Sequence, residues 1–228
     1  MRRLIAVAVL AFLLAGCAQR GPDPRKRPLA ANPSAFIAAE LAFARLAQEK
    51  GQWTAFRETA APDAVMFVPP RVKARDWLKT QKDPAEAVKW QPHAVYVSCD
   101  GNAGVTTGAW QKGPANGYFT TAWVRDPMSG KINWVLDHGD GLAAPLAAPD
   151  FIESTQAKCS SRPAVPIEDA GEGDDMAVGL SKDQTLSWTS TVHPDRSRTV
   201  IVRLWDGKTM KTVIDNRVAA PAPATGTP

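Results

Sequence analysis

WQPHAVYVSCDGNAGVTTGAWQKGPANGYFTTAWVRDPMSGKINWVLDH, the stretch Trp90–His138, decides the fold. Its runs of Val, Thr, Trp and Phe are separated by Asp100-Gly101-Asn102, by Lys112–Gly117 and by Asp126–Gly130. β-Branched and aromatic runs bounded by Gly, Asn, Asp and Pro are the mark of consecutive hairpins. The stretch therefore predicts a four-stranded antiparallel meander over about Ala94–Cys99, Gly104–Gln111, Tyr118–Arg125 and Ile132–His138.

Upstream the pattern is helical. Asn32 suits an N-cap and Pro33 a first helical position. Phe36, Ala39, Phe43, Leu46 and Ala47 recur at helical spacing, and Gly51 suits the stop. A second helix is expected over Trp53–Ala60, a strand over Ala64–Val68 and a short helix around Lys73–Thr80. Asp83-Pro84-Ala85-Glu86 has the spacing of a capping box before one more helical turn. Helices followed by a run of strands argue an α+β fold, with the helices on one face of a curved antiparallel sheet.

Downstream, residues 143–182 are rich in Pro, Ala and acids and read as a strap. Thr185–His193, Arg198–Trp205 and Met210–Asp215 then read as three more antiparallel strands within a segment 183–217. Three such strands are too few for a core of their own. They are expected to pack on the main sheet and extend it. Residues 218–228 form an Ala/Pro tail expected to be disordered.

Several short motifs resemble one family. They are Glu40, Phe43 and Ala44 (E-x-x-F-A), and Lys50, Gly51, Ala55 and Phe56 (K-G-x-x-x-A-F). Ala61, Asp63–Val65, Phe67 and Pro69 follow, then Thr106–Gly108 with Trp110, and Trp134–Asp137. Their order is similar to that of the nuclear transport factor 2-like superfamily, in its SnoaL-like and unknown-function branches, over residues 34–142. The resemblance implies a cone: a strongly curved sheet wrapped on helices, with an apolar pocket at its wide end. The ketosteroid isomerase-like pattern needs an Asp base and a Tyr donor. The first helix has no Tyr, and Tyr96 and Tyr118 are the chain's two tyrosines.

The N-terminus carries an address. Arg2 and Arg3 precede the apolar run Leu4–Leu14, which is too short for a comfortable permanent span. Leu14-Ala15-Gly16-Cys17 resembles a bacterial lipobox. That implies a signal peptide (residues 1–17) ending at Cys17, whose thiol becomes lipid-linked and whose new amino terminus is acylated, for instance with palmitate. Residues 18–33, basic and Pro-rich, read as a tether. Ala18 rather than Asp after the cysteine implies, by the same resemblance, the outer membrane. The expected address is thus the periplasmic side of the cell envelope, with the membrane as a partner through the anchor.

The formal charge of +4 is mild, and no basic stripe interleaved with aromatics occurs, so nucleic acid is not an expected partner. No Walker A, G-x-S-x-G or dinucleotide fingerprint occurs, and no cofactor is expected. With Cys17 lipidated, Cys99 and Cys159 remain as an even pair in an oxidising compartment and read as a disulfide, with two free thiols as the alternative.

Six of the eight tryptophans lie between Trp53 and Trp134, where they share one core or line one cavity. Strand alternation puts Ile132, Trp134, Leu136 and His138 on one face, which the apolar members make the inner one. His138, Trp134, Trp123 and Trp110 are then the candidate ligand-binding residues. Asp137-His138-Gly139-Asp140 is dense in ligating groups but lacks a metal-site spacing, so no metal is assigned and a strand end with a turn is the reading adopted. The leading functional expectation is a lipoprotein that binds a small apolar ligand or a protein partner, a second copy of the chain included. The alternatives are an isomerase, cyclase or dehydratase with His138 as base, and a structural protein whose cone is filled.

Overall fold

The computed structural model describes residues 31–161, 163–164 and 169–222. Cys17, the signal segment and all but the last residues of the tether lie outside that range, as does the end of the tail. The elements in chain order are α1 (Pro33–Lys50), α2 (Gln52–Thr59), β1 (Ala60–Phe67), β2 (Arg71–Lys73), α3 (Ala74–Leu78), β3 (Lys89–Val97), β4 (Ala103–Lys112), β5 (Ala115–Arg125) and β6 (Ile132–Leu142). Then come β7 (Glu153–Gln156), β8 (Asp175–Leu180), β9 (Leu186–Val192), β10 (Arg198–Trp205) and β11 (Met210–Val218).

The meander is present as β3–β6, each strand longer than expected. It lies in a seven-stranded sheet of order β2-β1-β6-β5-β4-β3-β7. The helices cover one face. Phe36, Phe43, Ala47, Ala55 and Phe56 pack there with Val95, Val97, Trp123 and Trp134. Each large apolar side chain buried this way contributes about 1.5–3 kcal/mol. α1 approaches β4 closely because position 104 is glycine. A Cβ at Gly104 would stand 2.6 Å from Phe36 Cγ.

Two sequence-level details of the helical part change. Asn32 makes no side-chain cap on α1. Asp83 starts no helix; its carboxylate accepts from the Thr54 amide at 3.0 Å and the Thr54 hydroxyl at 2.6 Å, capping α2 from across the fold. A carboxylate at a helix N-terminus satisfies an amide left without an intrahelical partner.

The C-terminal part departs from expectation in strand number and in placement. It has four strands, not three, and they form a separate antiparallel sheet, β11-β10-β9-β8. The extra strand, β8, comes from the segment expected to be a strap. That segment also supplies β7, which pairs parallel to β3 and occupies the sheet edge there. The C-terminal sheet therefore does not extend the main one but packs face to face on it. Leu186, Trp188, Val200, Val202, Leu204 and Ile214 meet Val105, Ala122 and Leu136 on the face turned away from the helices. Stacking buries the apolar face of both sheets at once, which edge pairing would not do.

One corner of the stack is tightly tied. Cys99 and Cys159 are disulfide-bonded, 60 residues apart. Beside them the Cys99 amide donates to Thr185 Oγ1 at 2.9 Å, and the Asp100 amide to Asp183 Oδ2 at 2.8 Å.

Candidate functional site

The main sheet has an irregularity that decides which residues face the helices. In the β5–β6 ladder Trp123 pairs with Trp134, but Ala122 pairs with Leu136, leaving Val135 as an extra residue. A bulge of one residue reverses the alternation beyond it. Trp134 packs on the helix side, whereas Leu136 packs against the second sheet. Two residues further on, His138 follows Leu136 and not Trp134. The expectation that all four alternate residues of this strand share the inner face is thus corrected, and Asp137 takes the inward position.

A cavity of about 220 Å³ opens between α1, α2, β1 and the near ends of β3–β6. Phe43, Trp53, Phe56, Met66, Trp90 and Phe119 make its walls, and Asp137 is its carboxyl group. Gln52 also borders it, but its amide oxygen already accepts from the Val88 amide at 3.1 Å. Behind the cavity Glu40 is fully buried on the inner face of α1. Trp90 Nε1 donates to Glu40 Oε1 at 2.6 Å, and Thr106 Oγ1 donates to Oε2 at 2.5 Å. Trp123 Nε1 donates to Thr106 Oγ1 at 2.8 Å. Asp137 accepts from Thr121 Oγ1 at 2.9 Å.

Two carboxyls in an apolar surrounding are costly to ionise. Burial pushes Glu40 up to about 7, although the hydrogen bonds from Thr106, Trp90 and Trp123 pull the other way. Burial also pushes Asp137 up to about 7; the Thr121 hydrogen bond opposes this, and the neighbouring Glu40 charge adds to it. Near neutral pH the site can therefore hold or release a proton at Asp137, where a ligand in the cavity would meet it.

Of the residues singled out in the sequence, Trp110 lines the cavity. Trp123 and Trp134 are buried in the core behind it, with Trp134 Nε1 donating to Thr59 Oγ1 at 3.0 Å. His138 borders the cavity, but its ring stacks edge-on against Phe67 at 5.2 Å and takes a hydrogen bond from Arg198 Nε at 3.2 Å. Burial, and then the Arg198 charge, depress its pKa to about 3, so the imidazole is neutral and tied to the second sheet. No group of three or more His, Cys, Asp or Glu residues able to hold a metal occurs among the described residues.

Sequence reasoning passed over Glu40 as a site residue, yet a signal existed. Phe36, Glu40, Phe43 and Ala47 are the buried residues of α1 and fall on one helical stripe. A carboxylate on an apolar stripe is a buried polar group that needs partners. Alternation from Trp134 points Asp137 outward, and nothing in the local sequence announces the bulge.

No family model matches the chain, and no curated protein matches it. Among solved structures it is similar to a cystatin-like fold protein from Burkholderia xenovorans, 15% identical, over 49% of this chain and 92% of that chain, with a TM-score of 0.39. It is also similar to an NTF-2 like protein of unknown function from Shewanella oneidensis, 15% identical, over 47% and 98% of the two chains, with a TM-score of 0.39. An LEH-like epoxide hydrolase from M. tuberculosis is 22% identical over 47% and 84%, with a TM-score of 0.31.

Proposed function

We propose that the protein is a lipid-anchored envelope protein whose helix-and-sheet domain binds a small, largely apolar molecule carrying one hydrogen-bonding group. The observation that carries the reading is the aromatic cavity of about 220 Å³ with the Asp137 carboxyl in its wall. Its size is below the roughly 300–1,000 Å³ usual for drug-sized ligands, which fits a fragment-sized occupant. Apolar walls supply the affinity, and Asp137 fixes the orientation, donating when protonated and accepting when ionised. The anchor part of the proposal rests on Leu14–Cys17.

The perturbed carboxyl favours a second reading, a proton-transferring enzyme of isomerase, cyclase or dehydratase type. Its base is then Asp137, whose pKa of about 7 suits proton transfer near neutrality. His138 at about 3 is too weak a base for that task.

Native mass spectrometry of the full chain extracted from its own membranes tests both parts. The expected result is a mature mass that begins at acylated Cys17, with a retained small-molecule adduct. Cys17→Ser should release the chain from membranes or leave it unprocessed, and Met66→Trp, which fills the cavity, should remove the adduct. Normal membrane fractionation of the first variant would sink the anchor. An adduct retained by the second would sink the pocket. Turnover of the released molecule that disappears in Asp137→Asn would select the enzyme.

A further inference from the structure

We infer that a second, larger cleft, at the end of the main sheet beneath the β6–β7 connection, is a saccharide-binding site. The topology builds it. β6 and β7 are separated in the sheet by β5, β4 and β3, so the chain from Leu142 to Glu153 must cross the ends of all three strands. Pro145, Leu146 and Ala148 of this crossing form one wall of a cleft of about 610 Å³. The opposite wall comes from β3, β4 and the start of β5, including Gln91, His93, Gln111 and Asn116.

The lining selects the ligand chemistry. Gln91, Gln111 and Asn116 each carry a donor and an acceptor side by side. Adjacent hydroxyls on a sugar ring have the same double character, so one amide can serve two of them. Trp90 and Trp110 border the cleft as well, from strand positions that alternate with those of Gln91 and Gln111. No carboxylate lines the cleft among the described residues, and Lys89 is a cation at its edge. Cationic ligands are therefore disfavoured, and neutral or acidic sugars are admitted.

The strand is shaped for this wall. Pro92 pairs with Gly108 and Ala94 with Thr107, so His93 is a bulged residue. A bulge re-aims a side chain that regular alternation would place elsewhere. Gly108 permits it, because a Cβ there would stand 2.1 Å from the Gln91 carbonyl oxygen. His93 Nε2 and Asn116 Oδ1 are buried without a hydrogen-bond partner among the described residues. Both residues line the cleft.

The test uses the full chain in a detergent without a sugar headgroup, titrated with maltotriose, chitotriose and trigalacturonic acid and followed by tryptophan fluorescence and calorimetry. At least one trisaccharide should bind saturably. Gln91→Ala and His93→Ala should each weaken it about tenfold, with the urea midpoint unchanged. Absence of saturable binding by all three sugars at millimolar concentration overturns the proposal. So does binding that persists undiminished in both variants.

Discussion

Trp134 and His138, four residues apart on one strand, face opposite sides of the sheet. Trp134 lies among the helices, while His138 accepts a hydrogen bond from Arg198 of the second sheet. Val135, the extra residue between Trp134 and Leu136, is the cause. The strand therefore serves two cores, and its polar residues serve two purposes. Asp137 belongs to the cavity, and His138 belongs to the junction between sheets.

His138→Ala should then act on stability. It removes the acceptor of Arg198 Nε, a guanidinium that is 8% exposed and that also donates to the Gly139 carbonyl at 3.0 Å. A loss of about 1–3 kcal/mol in urea unfolding is expected, with retention of any cavity ligand. Loss of the ligand at full stability would place the imidazole in the pocket after all.

The buried acids give stability an inverted pH dependence. Glu40 and Asp137 have folded-state pKa values raised to about 7 from 4.5 and 3.8. Between those limits the folded chain holds protons that the unfolded chain releases, so their contribution falls as pH rises through that window and levels off above it. For Glu40 the loss is on the order of 3 kcal/mol. His138 opposes them: its pKa is lowered from 6.5 to about 3, so its contribution is complete above 6.5 and is lost as pH falls towards 3. Glu40→Gln should reduce the decline between about pH 4.5 and 7 in the unfolding free energy. An unchanged profile in that variant would mean that Glu40 is ionised throughout.

Gly104→Ala should destabilise by about 1–3 kcal/mol through overpacking. The new methyl would meet the Phe36 ring at 2.6 Å, where α1 rests on β4. The companion change Phe36→Leu in the Gly104→Ala background should recover part of the loss. A double-mutant cycle with no coupling would show that the two positions do not touch in solution.

Reduction of Cys99–Cys159 should cost roughly 4 kcal/mol in the chain-entropy model for a closed loop of this length. The double variant Cys99→Ser, Cys159→Ser should match the reduced protein in thermal unfolding. Alkylation of both thiols in unfolded, unreduced protein would remove the bond.

The sequence alone determined the elements that rest on local chemistry. The turn clusters delimit β3–β6, the apolar stripe of α1 marks its buried face, and Gly51 ends that helix. The pairing of Cys99 with Cys159 is the expectation once Cys17 is set aside as lipidated, with two free thiols as the alternative, and the structure contains that bond. Tertiary structure alone decided what depends on pairing between distant strands. Whether Val135 is accommodated as a bulge depends on β5 as its partner, and that one residue brings Asp137 to the cavity wall and ties His138 to the second sheet. The edge of β3 is taken by β7, from the segment that reads as a strap, and the last strands pair among themselves as a second sheet. Local preference is written residue by residue, whereas register and facing are set by which surfaces bury each other best. That is why the strands could be read from the chain, while the place of Asp137 in the cavity wall could not.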